Sequence, residues 1–123
     1  MLDASALLAS VFGEQGAAEV DARLDNACVS AVNLSEVVAT LTERGTPAEI
    51  IALTLTSLNL DVRPFDREQA ERAGLLRPET RRYGLSLGDR ACLALAATLG
   101  RPAVTTDRAW IRLDLGIAIE VVR

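Results

Sequence analysis

The stretch that most constrains this chain is Leu87 to Leu99, Leu-Gly-Asp-Arg-Ala-Cys-Leu-Ala-Leu-Ala-Ala-Thr-Leu. It is Ala and Leu on nearly every side, and its only charges, Asp89 and Arg90, fall in the first turn. A helix apolar all round has to be buried, so the rest of the chain must supply layers that cover it. Ser86 is placed to start this helix. Gly100 suits a left-handed cap and Pro102 cannot continue the helix. Ala103 to Thr106 then reads as a strand, with Asp107 at its C-terminal end. A carboxylate at the mouth of a buried helix is costly unless it has a partner.

The flanking segments alternate in type. Met1-Leu2 reads as a very short strand ending at Asp3, which caps a helix over Ala4–Val11. Gly13 breaks that helix, and a second is expected over Glu14–Leu24, with Ala17, Val20 and Leu24 at helical spacing. Ala27–Val29 reads as a strand. A helix runs from Ser30 or Asn33 to Arg44. Thr46-Pro47-Ala48-Glu49 fits a capping box with Pro at the first helical position. It predicts a helix to about Leu58, with Ile50, Ile51, Leu55 and Leu58 inward. Leu60–Arg63 is a strand, Arg67–Leu76 a helix capped by Asp66, and Pro78–Gly84 a loop. Ala109–Leu113 is a short helical turn carrying Trp110, expected in the core, and Ile117–Val122 is a last strand. Short strands alternating with helices predict an α/β fold, a parallel sheet with helices on both faces. In such sheets the active crevice lies beyond the carboxyl ends of the strands. At 123 residues this is a single domain, 1–123.

What is missing narrows the chemistry. The chain has no histidine, and all thirteen basic residues are arginine. Histidine-based nucleophilic sites, histidine-ligated zinc, the Walker A loop and lysine Schiff bases are therefore excluded. Cys28 and Cys92 stand alone in apolar stretches and read as core residues. No apolar run is long enough to span a bilayer, and no charged-then-apolar leader opens the chain. The expectation is a soluble, cytoplasmic protein with no membrane contact. A net charge of −4 argues mildly against nucleic acid unless acids cluster around bound cations.

Four acids fall on the edge of the sheet where helix N-termini point. Asp3 ends the first strand, Glu36 lies early in the helix after the second, Asp89 opens the central helix, and Asp107 ends the strand after it. Each has an ordinary explanation. Asp3 and Asp107 fit N-caps. Asn33–Glu36 and Ser86–Asp89 fit capping boxes. Jointly they ask for more, because carboxylates gathered in one crevice repel and some would take up protons. A divalent cation resolves that conflict, and oxygen-only ligands suit Mg²⁺ or Mn²⁺. Metal-activated water is then the natural nucleophile.

The segments MLDASALLA, SAVNLSEVVATL, GLSLGDRACLALA and AVTTDRAW resemble the PIN-domain ribonucleases, and among them the VapC-type toxins of prokaryotic toxin–antitoxin pairs. The resemblance covers nearly the whole chain in order. It implies a three-layer α/β/α sandwich with a short, mainly parallel central sheet. It also implies Mg²⁺- or Mn²⁺-dependent endoribonuclease activity on RNA, a homodimer, and inhibition by a cognate antitoxin protein. By position, Asp3, Glu36, Asp89 and Asp107 match the family's acidic metal-binding and catalytic cluster, and Ser5 matches a small polar position beside it. Thr105 and Thr106 flank Asp107. Thr106 is the candidate accessory group, and Thr105 reads as a β-branched strand residue. Arg90 and Arg108 each follow a site acid, where they could clamp phosphate or screen the cluster, and an outward-facing role fits at least as well. Arg81, Arg82 and Tyr83 form a basic-aromatic patch suited to RNA or to an ordinary solvated loop. The competing function is a catalytically silent α/β module that binds a protein partner and uses its acids only as helix caps.

Overall fold

The computed structural model describes residues 1–123. Two parallel strand pairs form the sheet. Strand β1 (Cys28–Ser30) pairs with β2 (Asp61–Arg63), and β3 (Ala103–Thr105) pairs with β4 (Ile119–Val121). The opening residues join the two pairs. Leu2 N–H donates to the Cys28 carbonyl, Asp3 N–H to the Val104 carbonyl, and Leu2 bridges Val104 in parallel. The expected first strand is thus a single bridge, because Asp3 already caps the following helix.

Side chains alternate between two cores, as the pleat of a strand requires. Leu2, Val29 and Val104 enter one cluster with Leu7, Val20, Val37 and Leu41. Their neighbours Met1, Cys28 and Ala103 enter the other with Cys92, Leu93, Leu95 and Trp110. Helices α1 (Ala4–Phe12), α2 (Ala17–Asp21), α3 (Ala31–Glu43) and α4 (Ala48–Leu58) supply the first cluster. The central helix α7 (Leu87–Leu99) supplies the second and packs against α5 (Arg67–Leu75). This is the three-layer α/β/α arrangement. Ala91 to Ala96 are all buried, as an all-apolar helix demands. No helix is long and apolar enough to cross a membrane.

Several expectations need correction. The helix expected over Glu14–Leu24 shrinks to α2, followed by a 3-10 turn at Leu24–Asn26. Gly16, at φ +97°, starts it, and a Cβ there would lie 2.0 Å from the Val122 carbonyl oxygen. Thr46 does not cap α4. Pro47 stands at the N-cap position, and its carbonyl accepts from Ile50 and Ile51 N–H. Ile51 is buried, but Ile50 is 49% exposed, since one helical residue of rotation turns it away from α3. The expected loop at Pro78–Gly84 is instead a helical turn α6 (Arg77–Thr80) and a 3-10 turn at Arg81–Tyr83. Pro78 sits in the first turn of α6, where its missing N–H has no helical partner to lose. The strand expected over Ile117–Val122 is only β4, and the turn expected over Ala109–Leu113 is a 3-10 segment at Arg108–Arg112.

Candidate functional site

Three of the four sequence-nominated acids are held by the start of a helical element. Asp3 caps α1. Its Oδ1 accepts from Ala6 N–H at 2.8 Å and from Ser5 Oγ at 2.7 Å. Its Oδ2 accepts from Thr105 Oγ1 at 2.5 Å. Ser5 Oγ also accepts from Thr106 N–H at 3.1 Å, so α1 and the end of β3 are tied together around this carboxylate. Asp89 completes a capping box with Ser86: Ser86 N–H donates to Asp89 Oδ2 at 2.8 Å, and Asp89 N–H donates to Ser86 Oγ at 3.2 Å. Asp107 caps the 3-10 segment after β3, accepting from Ala109 N–H at 2.9 Å.

Glu36 is different, because it caps nothing. Ser30 caps α3, which puts Asn33 inside the helix rather than at its start. Asn33 is fully buried. Its Nδ2 donates to the Gly88 carbonyl at 3.0 Å and to Glu36 Oε2 at 3.4 Å. The Glu36 carboxylate lies against the Cα of Gly88, where a Cβ would meet Oε1 at 2.0 Å and Oε2 at 2.4 Å. Asn33 thus fastens α3 to the first turn of α7 and holds Glu36 beside it.

The electrostatics link the acids across the chain. Burial pushes the Asp3 carboxyl from an ordinary 3.8 up to about 6, against hydrogen bonds from Thr105, Ala6 and Ser5 that favour the charged form; the Asp89 charge adds to the rise. Burial also raises Glu36, with Asp89 and Asp3 adding to the rise and Asn33 opposing it. Burial raises Asp89, opposed by its hydrogen bonds to Ser86, with Asp107 adding to the rise. Residues far apart in sequence therefore feel one another's charge. As the side chains lie, however, no three carboxylates or thiols stand close enough together to hold a metal ion.

The donor chemistry fits a hard cation all the same. The donors are oxygens only, and three of the four are pushed towards protonation. Asn33 Oδ1 is buried with no hydrogen-bond partner. Gly88 leaves room for the Glu36 carboxylate that any side chain would fill. An open cavity of about 520 Å³ adjoins Asp107 and is lined only by polar residues: Ser5, Gln15, Thr106, Asp107, Arg108 and Arg123.

The family model for the PIN domain matches residues 1–115. The chain belongs to the PIN domain family. No curated protein matches it. Among solved structures, this PIN domain is similar to a chain of DNA-bound VapBC from Salmonella typhimurium, at TM-score 0.76 and 23% identity, covering 100% of this chain and 97% of that one. It is also similar to a chain of a toxin–antitoxin complex from Klebsiella pneumoniae, at TM-score 0.73 and 18% identity, covering 99% and 96%. A chain of VapBC2 from Rickettsia felis, bound to a promoter DNA fragment, aligns at TM-score 0.69 and 16% identity, covering 98% and 96%. At these identities the likeness is one of fold.

Three residues that hold the candidate site are not singled out by sequence reasoning. Thr105 reads as a strand former, yet its hydroxyl donates to Asp3 and accepts from Asp107 N–H. Asn33 reads as a cap. The signal for it is its place one turn before Glu36 on the same helix face. The signal for Gly88 is a glycine in the first turn of an Ala/Leu helix, where it costs about 1 kcal/mol against alanine.

The raised carboxyls make a pH prediction. A carboxyl with a higher pKa folded than unfolded binds more protons when folded. Its contribution to stability is complete below about pH 3.8 and is lost as pH rises through about 6. For Asp3 the shift is worth roughly 3 kcal/mol, and Glu36 and Asp89 move the same way. Urea unfolding in chelator is expected to show stability falling between pH 4 and 6. Asp3→Asn should remove the largest part of that slope, since the amide oxygen still accepts from Ala6 N–H. An unchanged slope in that variant would show that Asp3 titrates normally.

Proposed function

We propose that this PIN domain is a VapC-type endoribonuclease dependent on Mg²⁺ or Mn²⁺, working in the cytoplasm as a homodimer restrained by a cognate antitoxin. The observation that carries the reading is the cradle that Asn33 and Gly88 make for Glu36 at the first turn of α7, where Asp89 also stands, two half-buried acids with no salt bridge to any arginine of the chain. Asp3, Glu36, Asp89 and Asp107 would hold the ion. When bound, Mg²⁺ or Mn²⁺ supplies an activated water and neutralises charge on the phosphodiester. Ser5 and Thr105 fix the Asp3 carboxylate in one orientation and favour its ionised form. Glu36, from the second turn of α3, and Asp89, from the first turn of α7, would supply oxygens from the opposite side of the site. Thr106 places Ser5 by its backbone N–H and lines the adjoining polar cavity.

The toxin–antitoxin neighbours support an antitoxin as partner. An arginine-bearing antitoxin segment entering the acidic edge would be complementary in charge and would compete with the ion. Ile50 and Leu53, exposed on α4, offer apolar surface for association.

One observation favours the silent module: Asp3, Asp89 and Asp107 all serve as caps, and no three acids converge unaided. Glu36 weighs the other way, since it is half-buried and caps nothing. Two measurements separate the readings. Mn²⁺ or Mg²⁺ at saturating concentration is expected to raise Tm by about 5 °C or more, as ligand linkage requires. Total RNA incubated with antitoxin-free protein is expected to be cut with Mn²⁺ and left intact in chelator. A flat Tm together with intact RNA in both conditions would establish the silent module.

A further inference from the structure

The arginines of this acidic chain are not used evenly. Arg23, Arg63, Arg67 and Arg72 hold carboxylates. Arg90 and Arg101 donate to backbone carbonyls, and Arg44 lies over Phe12. In contrast, the exposed side chains of Arg77, Arg81, Arg108, Arg112 and Arg123 make no ion pair, hydrogen bond or aromatic stack within the chain. These free cations sit on the segments that border the acidic edge. Arg77 and Arg81 precede the turn that leads to Ser86 and Asp89. Arg108 follows Asp107 directly, and Arg112 ends the same 3-10 segment, a rise of roughly 8 Å. Arg108 and Arg123 line the polar cavity beside Asp107.

A second cavity, of about 430 Å³, opens beyond Arg112. Arg82, Tyr83 and Arg112 line it, with Glu79 and Asp114 as the opposing charges. Tyr83 Oη donates to the Arg112 carbonyl at 3.4 Å and so ties the two 3-10 segments together. The Arg82 guanidinium lies 4.9 Å from the centre of the Tyr83 ring and donates from Nη2 to Tyr83 Oη at 2.8 Å, so a cation and an aromatic ring stand together at this cavity. Free guanidinium groups ask for phosphate, and a flat cation–aromatic pair asks for a base. Single-stranded RNA offers both at once. A duplex hides its bases, and an acidic peptide offers charge without flat faces.

We propose that these residues form a track for single-stranded RNA, which runs from the acidic edge across the 3-10 segment of Arg108–Arg112. Arg108 and Arg123 hold phosphates next to Asp107, and a neighbouring base stacks on the Arg82–Tyr83 pair beside Arg112. The inference rests on the nuclease reading and extends it to how the substrate strand is held.

The test is fluorescence anisotropy with a labelled single-stranded oligoribonucleotide in chelator, where no cleavage occurs, paired with Mn²⁺-supported cleavage of the same strand. Arg112→Gln is expected to weaken binding several-fold and to lower the salt slope by about 0.7, the value for one lost contact to a single strand. Tyr83→Leu is expected to weaken binding about tenfold through lost stacking, and Tyr83→Phe, which keeps the ring but loses the bonds to Arg82 and Arg112, to weaken it less. In cleavage, Arg112→Gln should raise KM more than it lowers kcat. Arg67→Gln, which removes the same charge from an ion pair on α5, should leave binding unchanged. If the native protein cuts RNA while Arg112→Gln and Tyr83→Leu bind it with native affinity, the track is wrong and the nuclease reading stands. Equal weakening by Arg67→Gln, or displacement of RNA by polyglutamate as readily as by unlabelled strand, would also overturn the track. If the native protein neither binds nor cuts RNA, both fall together.

Discussion

Asp89→Asn is expected to lower RNA cleavage by about a thousandfold or more and to leave the fold intact, the rate following from several kcal/mol of lost charge stabilisation. The substitution is clean because of how Asp89 is held. Its backbone N–H donates to Ser86 Oγ and its Oδ2 accepts from Ser86 N–H. An asparagine keeps both bonds, the second through its amide oxygen, so the start of α7 keeps its cap. What is lost is the negative charge. Burial already raises the Asp89 pKa, which means that the folded protein holds this charge at a cost. Melting in chelator should therefore be equal to or slightly above that of the native chain. The rise in Tm with Mn²⁺ should shrink or vanish. A variant that cuts RNA at the native rate would remove Asp89 from the site.

The layering was legible because it rests on patterns that span many residues. An Ala/Leu helix with no polar face can only be buried, and Ala91 to Ala96 are. Short apolar strands between helices can only be a covered sheet. The errors fall where a distant contact overrides a local preference. Nothing between Glu14 and Leu24 announces that Gly16 must lie under the Val122 carbonyl, yet that contact holds residues before α2 out of a helix. Pro78 locally favours the opening of a loop, although in the first turn of α6 it is a permitted start. The hydropathy of Ile50 alone points it inward, while Ile51 is the residue that α4 buries.

The candidate site divides in the same way. Asp3, Asp89 and Asp107 were legible because each stands at an element boundary, where sequence reasoning is at its strongest for caps. Their ordering along the sheet edge follows from the alternation of elements. The contacts that hold them were not legible. Thr105 reaches Asp3 across a separation of 102 residues, and Asn33 reaches the Gly88 carbonyl across 55. Such partners carry no local signature beyond being polar at a buried position. Distances between the carboxylates are likewise a property of side-chain rotation, which no pattern in the chain encodes.

Gly88→Ala is expected to cost about a hundredfold in cleavage while leaving stability within about 1 kcal/mol of the native chain, an unusual pairing for a change of one methyl group. In a helix the substitution ordinarily stabilises, because glycine gives up more backbone freedom on folding than alanine. Gly88 has an ordinary helical backbone, so nothing in its conformation requires glycine. The constraint lies across the interface. A methyl group there would come within 2.0 Å of Glu36 Oε1 and 2.3 Å of its Cδ. Those atoms are the far end of a flexible side chain, so Glu36 swings aside and α7 stays where it is. Asn33 keeps its bond to the Gly88 carbonyl and continues to fasten α3 to α7. The carboxylate leaves the place that Gly88 gives it, and displacement of a positioned group by about 1 Å is enough for a loss of this size. Gly74→Ala in α5, where no atom lies within 4 Å, is the control; it should gain stability and keep activity. If the effect runs through Glu36, then Glu36→Ala combined with Gly88→Ala is no less active than Glu36→Ala alone. Native activity in Gly88→Ala would instead mean that the position of the Glu36 carboxylate does not matter to the reaction, and Glu36 would leave the site.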